Sequence, residues 1–120
     1  MNNKLKINTV AGILDIIGSV LYLIAPFALV GNAIGEAVGG AEEGSTSGLA
    51  TVFMIFAIAT LIVHIVAFVK SKKVAISNVG NTLGIIGHAL YVLLGIFMAI
   101  PALVLSILAA IFTLRQKNLN

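Results

Sequence analysis

The chain has 120 residues, of which 60% are hydrophobic and only 9% are charged. A soluble domain of this size is close to a quarter charged, because a small domain must cover a large surface with polar groups. The composition excludes a soluble globular domain and a disordered chain, and it predicts an integral membrane protein. The absence of cysteine excludes disulfides and thiolate metal sites. A net charge of +3 gives too little basic surface for binding nucleic acid.

Four apolar segments follow one another along the chain, and each approaches the roughly 20 residues that a helix needs to cross the hydrocarbon core. They cover residues 7–30, 49–69, 74–94 and 100–114. Their apolar runs are continuous rather than alternating, which favours helices over a barrel. Gly95 suits the end of the third helix and Pro101 the first turn of the fourth. The predicted fold class is therefore all-α, a single integral membrane domain built as a four-helix transmembrane bundle.

The long connection, residues 31–48, is rich in glycine and serine and is predicted to be a flexible outer loop. Within it, Asn32–Val38 is expected to lie on the membrane surface as a short helix. Three of the four acidic residues of the chain, Glu36, Glu42 and Glu43, lie in this loop.

The basic residues lie in three places that share one side of a four-span chain. They are Lys4 and Lys6 before the first span, Lys70, Lys72 and Lys73 after the second, and Arg115 and Lys117 after the fourth. Basic residues remain cytoplasmic, so both termini are expected in the cytoplasm of a bacterial plasma membrane. The same residues form a ring that either attracts anionic lipid headgroups or serves only to orient the chain.

Each span carries small or polar residues three and four positions apart, as helices that pack together in lipid do. These stripes are Ala11, Asp15, Ser19 with Gly18 beside it, Tyr22 and Pro26; Ala57, Thr60, His64, Ala67 and Ser71; Gly80, Gly84, His88, Tyr91 and Gly95; and Ala102, Ser106, Ala110 and Thr113. Gly80, Gly84 and Gly87 would let another helix approach the third span closely. That neighbour is either a helix of the same bundle or a second copy of the chain.

Asp15, His64 and His88 are the ionisable residues inside the predicted spans. A charge at that depth costs at least ~2.5 kcal/mol, so it must be paired, hydrated or neutralised. Depths counted at ~1.5 Å per residue predict an intramembrane polar layer about 9–13 Å from the inner surface. Its predicted members are Asp15, His64, Asn81 and Ser106, with Asp15 and His64 as the expected pair. His88 is expected to be a deeper polar group, about 21 Å from that surface.

The polar layer has three interpretations: a structural network that fixes helix register, a proton or ion site, or a contact for a partner helix. The two histidines differ by about 12 Å in predicted depth, which argues against a shared metal ion. No Ser-His-Asp arrangement or phosphate loop is present in the sequence. The sequence therefore predicts no catalytic residues, no metal and no cofactor.

Three stretches resemble a family of small, uncharacterised four-span membrane proteins common in Gram-positive bacteria. Val10-Ala-Gly-Ile-Leu-Asp-Ile-Ile-Gly18 is similar to the family's glycine-punctuated first span, and Phe68-Val-Lys-Ser-Lys-Lys73 to its basic inner turn. The segment from Ile100 to Arg115 resembles its proline-led last span. The resemblance implies a four-span fold and assigns no role to Asp15, His64 or His88.

These observations predict a small non-enzymatic accessory protein, of a regulatory or immunity type, that acts by helix–helix contact. Its partners would be the lipid bilayer and either a larger membrane protein or a second copy of the chain. The alternative is a small proton-coupled transporter or channel that uses Asp15 and His64.

Overall fold

The computed structural model describes residues 4–119, which form an all-α bundle about 60 Å long and 19 Å wide. The helices are α1 (Lys6–Ala37), α2 (Ser45–Lys73), α3 (Val79–Leu94) and α4 (Ala99–Arg115), with a 3-10 turn at Gly95–Met98. Three helical segments are long and apolar enough to cross a membrane: Lys6–Ala37, Ser45–Lys73 and Val79–Arg115. The all-α prediction is confirmed, and three segments rather than four have membrane-spanning length in the described part of the chain.

The third segment reverses direction at the 3-10 turn, so α3 and α4 are antiparallel arms that pack against each other. Gly95 ends α3 with a φ of +62°, a conformation that glycine adopts without steric cost. An added Cβ on Gly80, at the start of α3, would overlap Thr113, near the end of α4. Farther along, an added Cβ on Gly87 would lie 2.8 Å from the Cβ of Leu105. The two arms have 16 and 17 residues, so each is about 24–26 Å long.

The predicted outer loop is mostly helical, which corrects the expected boundaries. Helix α1 continues to Ala37, so Asn32–Val38 is not a separate surface helix. The Glu36 carboxylate accepts hydrogen bonds from the backbone N–H groups of Gly44 and Thr46. The side chain of Glu36 thereby caps the start of α2. The connection between α1 and α2 therefore has only seven residues, and the rest of the predicted loop belongs to the two helices.

The basic residues gather at the opposite end of the bundle, around the α2–α3 connection and the chain segment after α4. The Ser77 N–H donates to the Lys117 carbonyl at 2.8 Å, and the Leu119 N–H donates to the Ala75 carbonyl at 2.8 Å. Ile76 between them is almost fully buried. Residues 74–78 form the α2–α3 connection and close this end of the bundle, so α3 begins only at Val79.

The buried positions of the helices follow a spacing of alternately three and four residues. In α1 the buried positions along the seam include Asn8, Ala11, Asp15, Gly18, Tyr22, Ala25 and Leu29, and in α2 they are Phe53, Ala57, Thr60, His64, Ala67 and Ser71. All the stripe residues predicted for α2 and α4 are buried. In the first and third stripes Ser19, Pro26 and Gly95 are not, and Gly18 and Ala25 occupy the seam of α1. A regular period near 3.5 residues keeps one side of a helix facing its neighbours along a bundle. The predicted first stripe did not keep this period, so it included positions that lie outside the seam.

The conformation of Gly95 provides a test of the reversal between α3 and α4. Gly95→Ala is expected to lower the free energy of unfolding by about 1–3 kcal/mol, because an alanine is strained at positive φ. Nothing lies within 4 Å of the added Cβ, so the backbone alone would cause the loss. The measurement is unfolding by SDS in mixed micelles, followed by circular dichroism.

Gly48→Ala is the matched control, because Gly48 lies in α2, has open space around its Cβ and has an ordinary φ. It should leave stability unchanged or raise it by up to about 1 kcal/mol. Equal stability of the two variants would show that alanine at position 95 is not strained and would contradict the conformation described for Gly95.

Candidate functional site

Asp15, His64 and His88 meet on the axis of the bundle and are fully buried. They lie on α1, α2 and α3, and each is nine residues from the helix end at the basic side. Nine residues correspond to about 14 Å of helix. The three side chains therefore reach one level although their helices run in different directions. We call these residues the Asp–His–His cluster.

One carboxylate contacts both imidazole rings. Nε2 of His64 lies 2.8 Å from Oδ1 and 2.9 Å from Oδ2 of Asp15. Nε2 of His88 lies 2.8 Å from the same Oδ1. The two rings stack with centroids 5.6 Å apart and planes inclined by 25°. Hydrogen bonds of the single Asp15 side chain thus connect α1 to both α2 and α3.

The predicted depth difference between the two histidines is wrong. Helix α3 begins at Val79 rather than at residue 74, which removes five residues, or about 7.5 Å, from the depth of His88. Helix α2 continues to Lys73, which adds depth to His64. Ligand atoms of the three residues lie within 4.8 Å of one another, so the predicted separation of the histidines no longer excludes a shared metal ion.

Side-chain amides extend the cluster toward the basic end. Nδ1 of His64 lies 2.9 Å from Oδ1 of Asn81. Nδ2 of Asn81 donates to Oδ1 of Asn8 at 3.0 Å and to Oδ1 of Asn78 at 3.1 Å. Nδ2 of Asn8 donates to Ser71 Oγ at 2.8 Å and to Gln116 Oε1 at 3.3 Å. The predicted layer member Asn81 is thus directly bonded to His64.

Two backbone groups determine which way these amides point. Asn78 Nδ2 donates to the Phe68 carbonyl at 3.1 Å, so its oxygen faces Asn81. The Leu5 N–H donates to Gln116 Oε1 at 2.7 Å, and Asn8 Nδ2 donates to the same oxygen at 3.3 Å. The oxygens of Asn8 and Asn78 therefore both accept from Nδ2 of Asn81, which leaves the oxygen of Asn81 facing the ring of His64.

The orientation of Asn81 assigns a hydrogen to Nδ1 of His64, because a carbonyl oxygen only accepts. A further proton is then shared between Nε2 of His64 and Asp15. Either His64 is an imidazolium beside a carboxylate, or a protonated Asp15 donates to a neutral ring. A neutral His88 that donates from Nε2 to Asp15 completes the arrangement. The cluster carries no net charge in either case, which reduces the cost of placing it in a low-dielectric interior.

Tyr22 ends the hydrogen-bonded chain on the other side of the cluster. Its Oη lies 2.6 Å from Nδ1 of His88, and its ring stacks on Tyr91 with centroids 4.6 Å apart. Beyond Tyr22 the core is apolar and contains Leu29 and Phe53. On α1, Asn8, Asp15 and Tyr22 are seven residues apart, so the chain of hydrogen bonds covers about 21 Å of the helix.

Ser106, the predicted layer member on α4, does not join this network. It is buried, and its Oγ has no hydrogen-bond partner among residues 4–119. The C-terminal side of α4 contributes Gln116 instead, just after the helix. Asn8 and Gln116 were not predicted from the sequence; the seven-residue spacing from Asp15 marks Asn8, whereas no sequence pattern marks Gln116.

Glycines allow the helices to approach closely around the cluster. An added Cβ on Gly84 would overlap the ring of His64, and one on Gly18 would lie 3.4 Å from Cε1 of His88. Together with the contacts of Gly80 and Gly87 with α4, these positions place the glycine face of α3 inside the bundle. The glycines therefore serve neighbouring helices of the same chain.

Comparisons with protein-family models, with characterised proteins and with solved structures give no significant match.

The close contact of Gly84 with His64 leads to a prediction about the cluster. Gly84→Ala is expected to displace the His64 ring and to lower the free energy of unfolding by about 1–3 kcal/mol, since the added methyl group overpacks the interior. The change in the cluster would be visible in the histidine ring signals of NMR spectra. The two histidines are the only ones in the chain, so their signals are readily assigned.

Gly31→Ala is the control for this variant. Gly31 is exposed on α1 with no atom within 4 Å of the added Cβ, so its replacement should preserve both stability and the histidine signals. Unchanged histidine signals in Gly84→Ala would contradict the packing described above.

Proposed function

We propose that the protein is a small non-enzymatic accessory protein of the bacterial plasma membrane that crosses the bilayer four times. The four crossings are α1, α2 and the two arms α3 and α4. The arms return the chain to the basic end, where the Ser77 N–H donates to the Lys117 carbonyl. This reversal supports two crossings for the segment from Val79 to Arg115 rather than one.

The charge distribution supports an orientation with both termini in the cytoplasm. The seven basic residues are at one end of the bundle, and Glu36, Glu42 and Glu43 are at the other. Lysine and arginine are retained on the cytoplasmic side during insertion. At the basic end, Arg115 and Lys117 line a surface cavity together with apolar side chains, an arrangement that suits the headgroup region of the bilayer.

The accessory role rests chiefly on how the interior beyond Tyr22 is filled. Leu29, Phe53 and small side chains pack there, and the ring of Tyr91 stacks on that of Tyr22. The hydrogen-bonded chain therefore reaches from the basic end to about the middle of the bundle and meets a packed core. This arrangement favours a static bundle that presents an aliphatic surface to lipid and to a partner protein over a transport pathway.

The surface supports contact with a larger membrane protein better than tight self-association through glycines. Many isoleucine, valine, leucine and phenylalanine side chains are exposed, for example Val52, Ile55 and Ile62 on α2. The glycines of α3 already serve contacts within the bundle. A regulatory or immunity-type protein would use its outer aliphatic surface to contact its partner.

A small proton-coupled carrier is the second candidate, and one observation favours it. Asp15 and two histidines lie in a hydrogen-bonded chain that connects the basic end with Tyr22. Carboxylates and histidines in such chains form proton relays in membrane transporters. This function requires a second conformation in which the apolar core beyond Tyr22 opens.

Single cysteines test the four-crossing topology, because the chain has none of its own. Ser47→Cys is expected to react with a membrane-impermeant maleimide on intact cells. Ser77→Cys and Leu119→Cys should react only after the membrane is permeabilised. None of the three substitutions changes a charge, so the orientation signal is retained. Labelling of Ser77→Cys and Leu119→Cys from opposite sides would show that α3 and α4 form one crossing.

A flux assay separates the two candidate functions. Purified protein in liposomes with an imposed pH gradient is expected to collapse the gradient no faster than empty liposomes, because the core beyond Tyr22 blocks passage. Folded Asp15→Asn should likewise collapse the gradient no faster than empty liposomes. In native membranes, the wild type should copurify with an integral membrane protein in a fixed ratio.

The carrier proposal predicts the opposite pattern. The wild type would collapse the gradient faster than empty liposomes, Asp15→Asn would lose that activity, and Ser106→Ala would retain it. Ser106 is a suitable control because it is buried and makes no hydrogen bond in the described part of the chain. That pattern would refute the accessory role.

A further inference from the structure

We propose that the Asp–His–His cluster binds a divalent transition-metal ion, with Zn²⁺ as the best-fitting species. The ligand atoms are Nε2 of His64, Nε2 of His88 and the carboxylate of Asp15. This site does not depend on the accessory role, because either candidate function is compatible with it. According to this proposal, the cluster binds a metal ion in addition to fixing the register of the helices.

The ligand geometry needs little rearrangement. Both Nε2 atoms are directed at Asp15 Oδ1, each at 2.8 Å, and ligand atoms of the three residues lie within 4.8 Å of one another. Zinc bonds to nitrogen and carboxylate oxygen are about 2.0–2.2 Å, which separates tetrahedral ligand atoms by roughly 3.3 Å. To admit the ion, each nitrogen–oxygen pair would lengthen by roughly half an ångström, and the ligand atoms, which lie within 4.8 Å of one another, would adjust to the same tetrahedral spacing.

The outer partners of both rings suit a metal site. Metal-binding histidines usually donate their second ring N–H to an oxygen, which fixes the ring and its tautomer. Nδ1 of His64 faces the oxygen of Asn81, and that oxygen is oriented by hydrogen bonds traced back to the backbone. Nδ1 of His88 faces Oη of Tyr22 at 2.6 Å. The tautomer of His64 imposed by Asn81 leaves Nε2 available for the ion once the shared proton has left. His88 would bind through Nε2 as its other tautomer, with the ring hydrogen on Nδ1 donated to Tyr22 Oη.

The ligand types select the class of ion. Two imidazoles and one carboxylate suit Zn²⁺ and other late first-row ions, whereas Mg²⁺ and Ca²⁺ prefer oxygen ligands. Three protein ligands leave a fourth zinc position for water or another small ligand. A divalent ion beside one carboxylate has a net charge of +1, so an anionic fourth ligand such as hydroxide would make the buried site neutral.

Burial determines how the site must be tested. Asp15, His64 and His88 have no exposed surface, so the ion is best supplied while the protein folds. The full chain would be expressed in zinc-supplemented medium with a histidine-free affinity tag and purified in detergent. Zinc would then be measured by mass spectrometry against protein concentration. About one zinc per chain is expected in the wild type.

Variants identify the ligands. His64→Gln, His88→Gln and Asp15→Asn are each expected to lower the zinc content at least tenfold, because each removes or neutralises a ligand. Ser106→Ala is the matched control, with a buried hydroxyl outside the cluster, and should keep the wild-type content. Gel filtration and circular dichroism would establish that each variant is folded.

X-ray absorption at the zinc edge of the wild-type protein gives an answer even if the ligand variants do not fold. The expected first shell contains two imidazoles and oxygen at about 2.0–2.2 Å. Any imidazole in that shell must come from His64 or His88, since the chain has only these histidines. Folded wild type with less than about a tenth of a zinc per chain, a shell without imidazole, or full zinc content in folded His88→Gln would overturn the proposal. None of these results bears on the flux assay, so the two proposals fail independently.

Discussion

The Asp15 carboxylate is the interaction on which the interior of this bundle depends. It is fully buried and holds the rings of His64 and His88, so it joins α1, α2 and α3 at one level. In a low-dielectric interior such a group is costly when unpaired, because neither lipid nor core side chains replace its lost water. The pairing gives the three helices one favourable register, since sliding a helix by a turn moves its partner about 5.4 Å away. The amide network at the basic end and Tyr22 at the other side extend this constraint along the bundle.

Regular spacing and small residues make that arrangement sterically accessible. The seam of α1 carries Asn8, Asp15 and Tyr22 at intervals of seven, so the polar contacts stay on the bundle axis. Gly84 lets the ring of His64 lie directly against α3, and Gly80 does the same for Thr113 of α4. Close backbone approach and interhelical hydrogen bonds are the main forces between helices in lipid, where the hydrophobic effect does not act between them. The same small residues therefore serve both packing and the polar site.

The two ends of the molecule differ in chemistry, and the buried hydrogen-bonded network extends toward only the basic end. The network reaches the basic end through Asn8 and Gln116, whereas Leu29 and Phe53 close the interior toward the acidic end. A one-sided polar interior is consistent with an element that responds to a proton or an ion without conducting it. An ion bound at the proposed metal site would contact three helices at once, because Asp15, His64 and His88 lie on α1, α2 and α3.

The sequence by itself determined the all-α class, the apolar segments, the separation of basic from acidic residues and the ionisable residues of the interior. These follow from composition and local periodicity, which do not depend on how helices meet. Only the tertiary structure decided that His88 joins His64 on Asp15, that Ser106 remains outside the network and that Gln116 enters it. The physical reason is that a contact between helices depends on helix boundaries and rotation. A five-residue error in the start of α3 corresponds to about 7.5 Å, more than twice the length of a hydrogen bond. Contacts between the connections and the neighbouring helices set those boundaries. Glu36 with Thr46 spans ten residues and Ser77 with Lys117 spans forty, separations that helical periodicity does not encode.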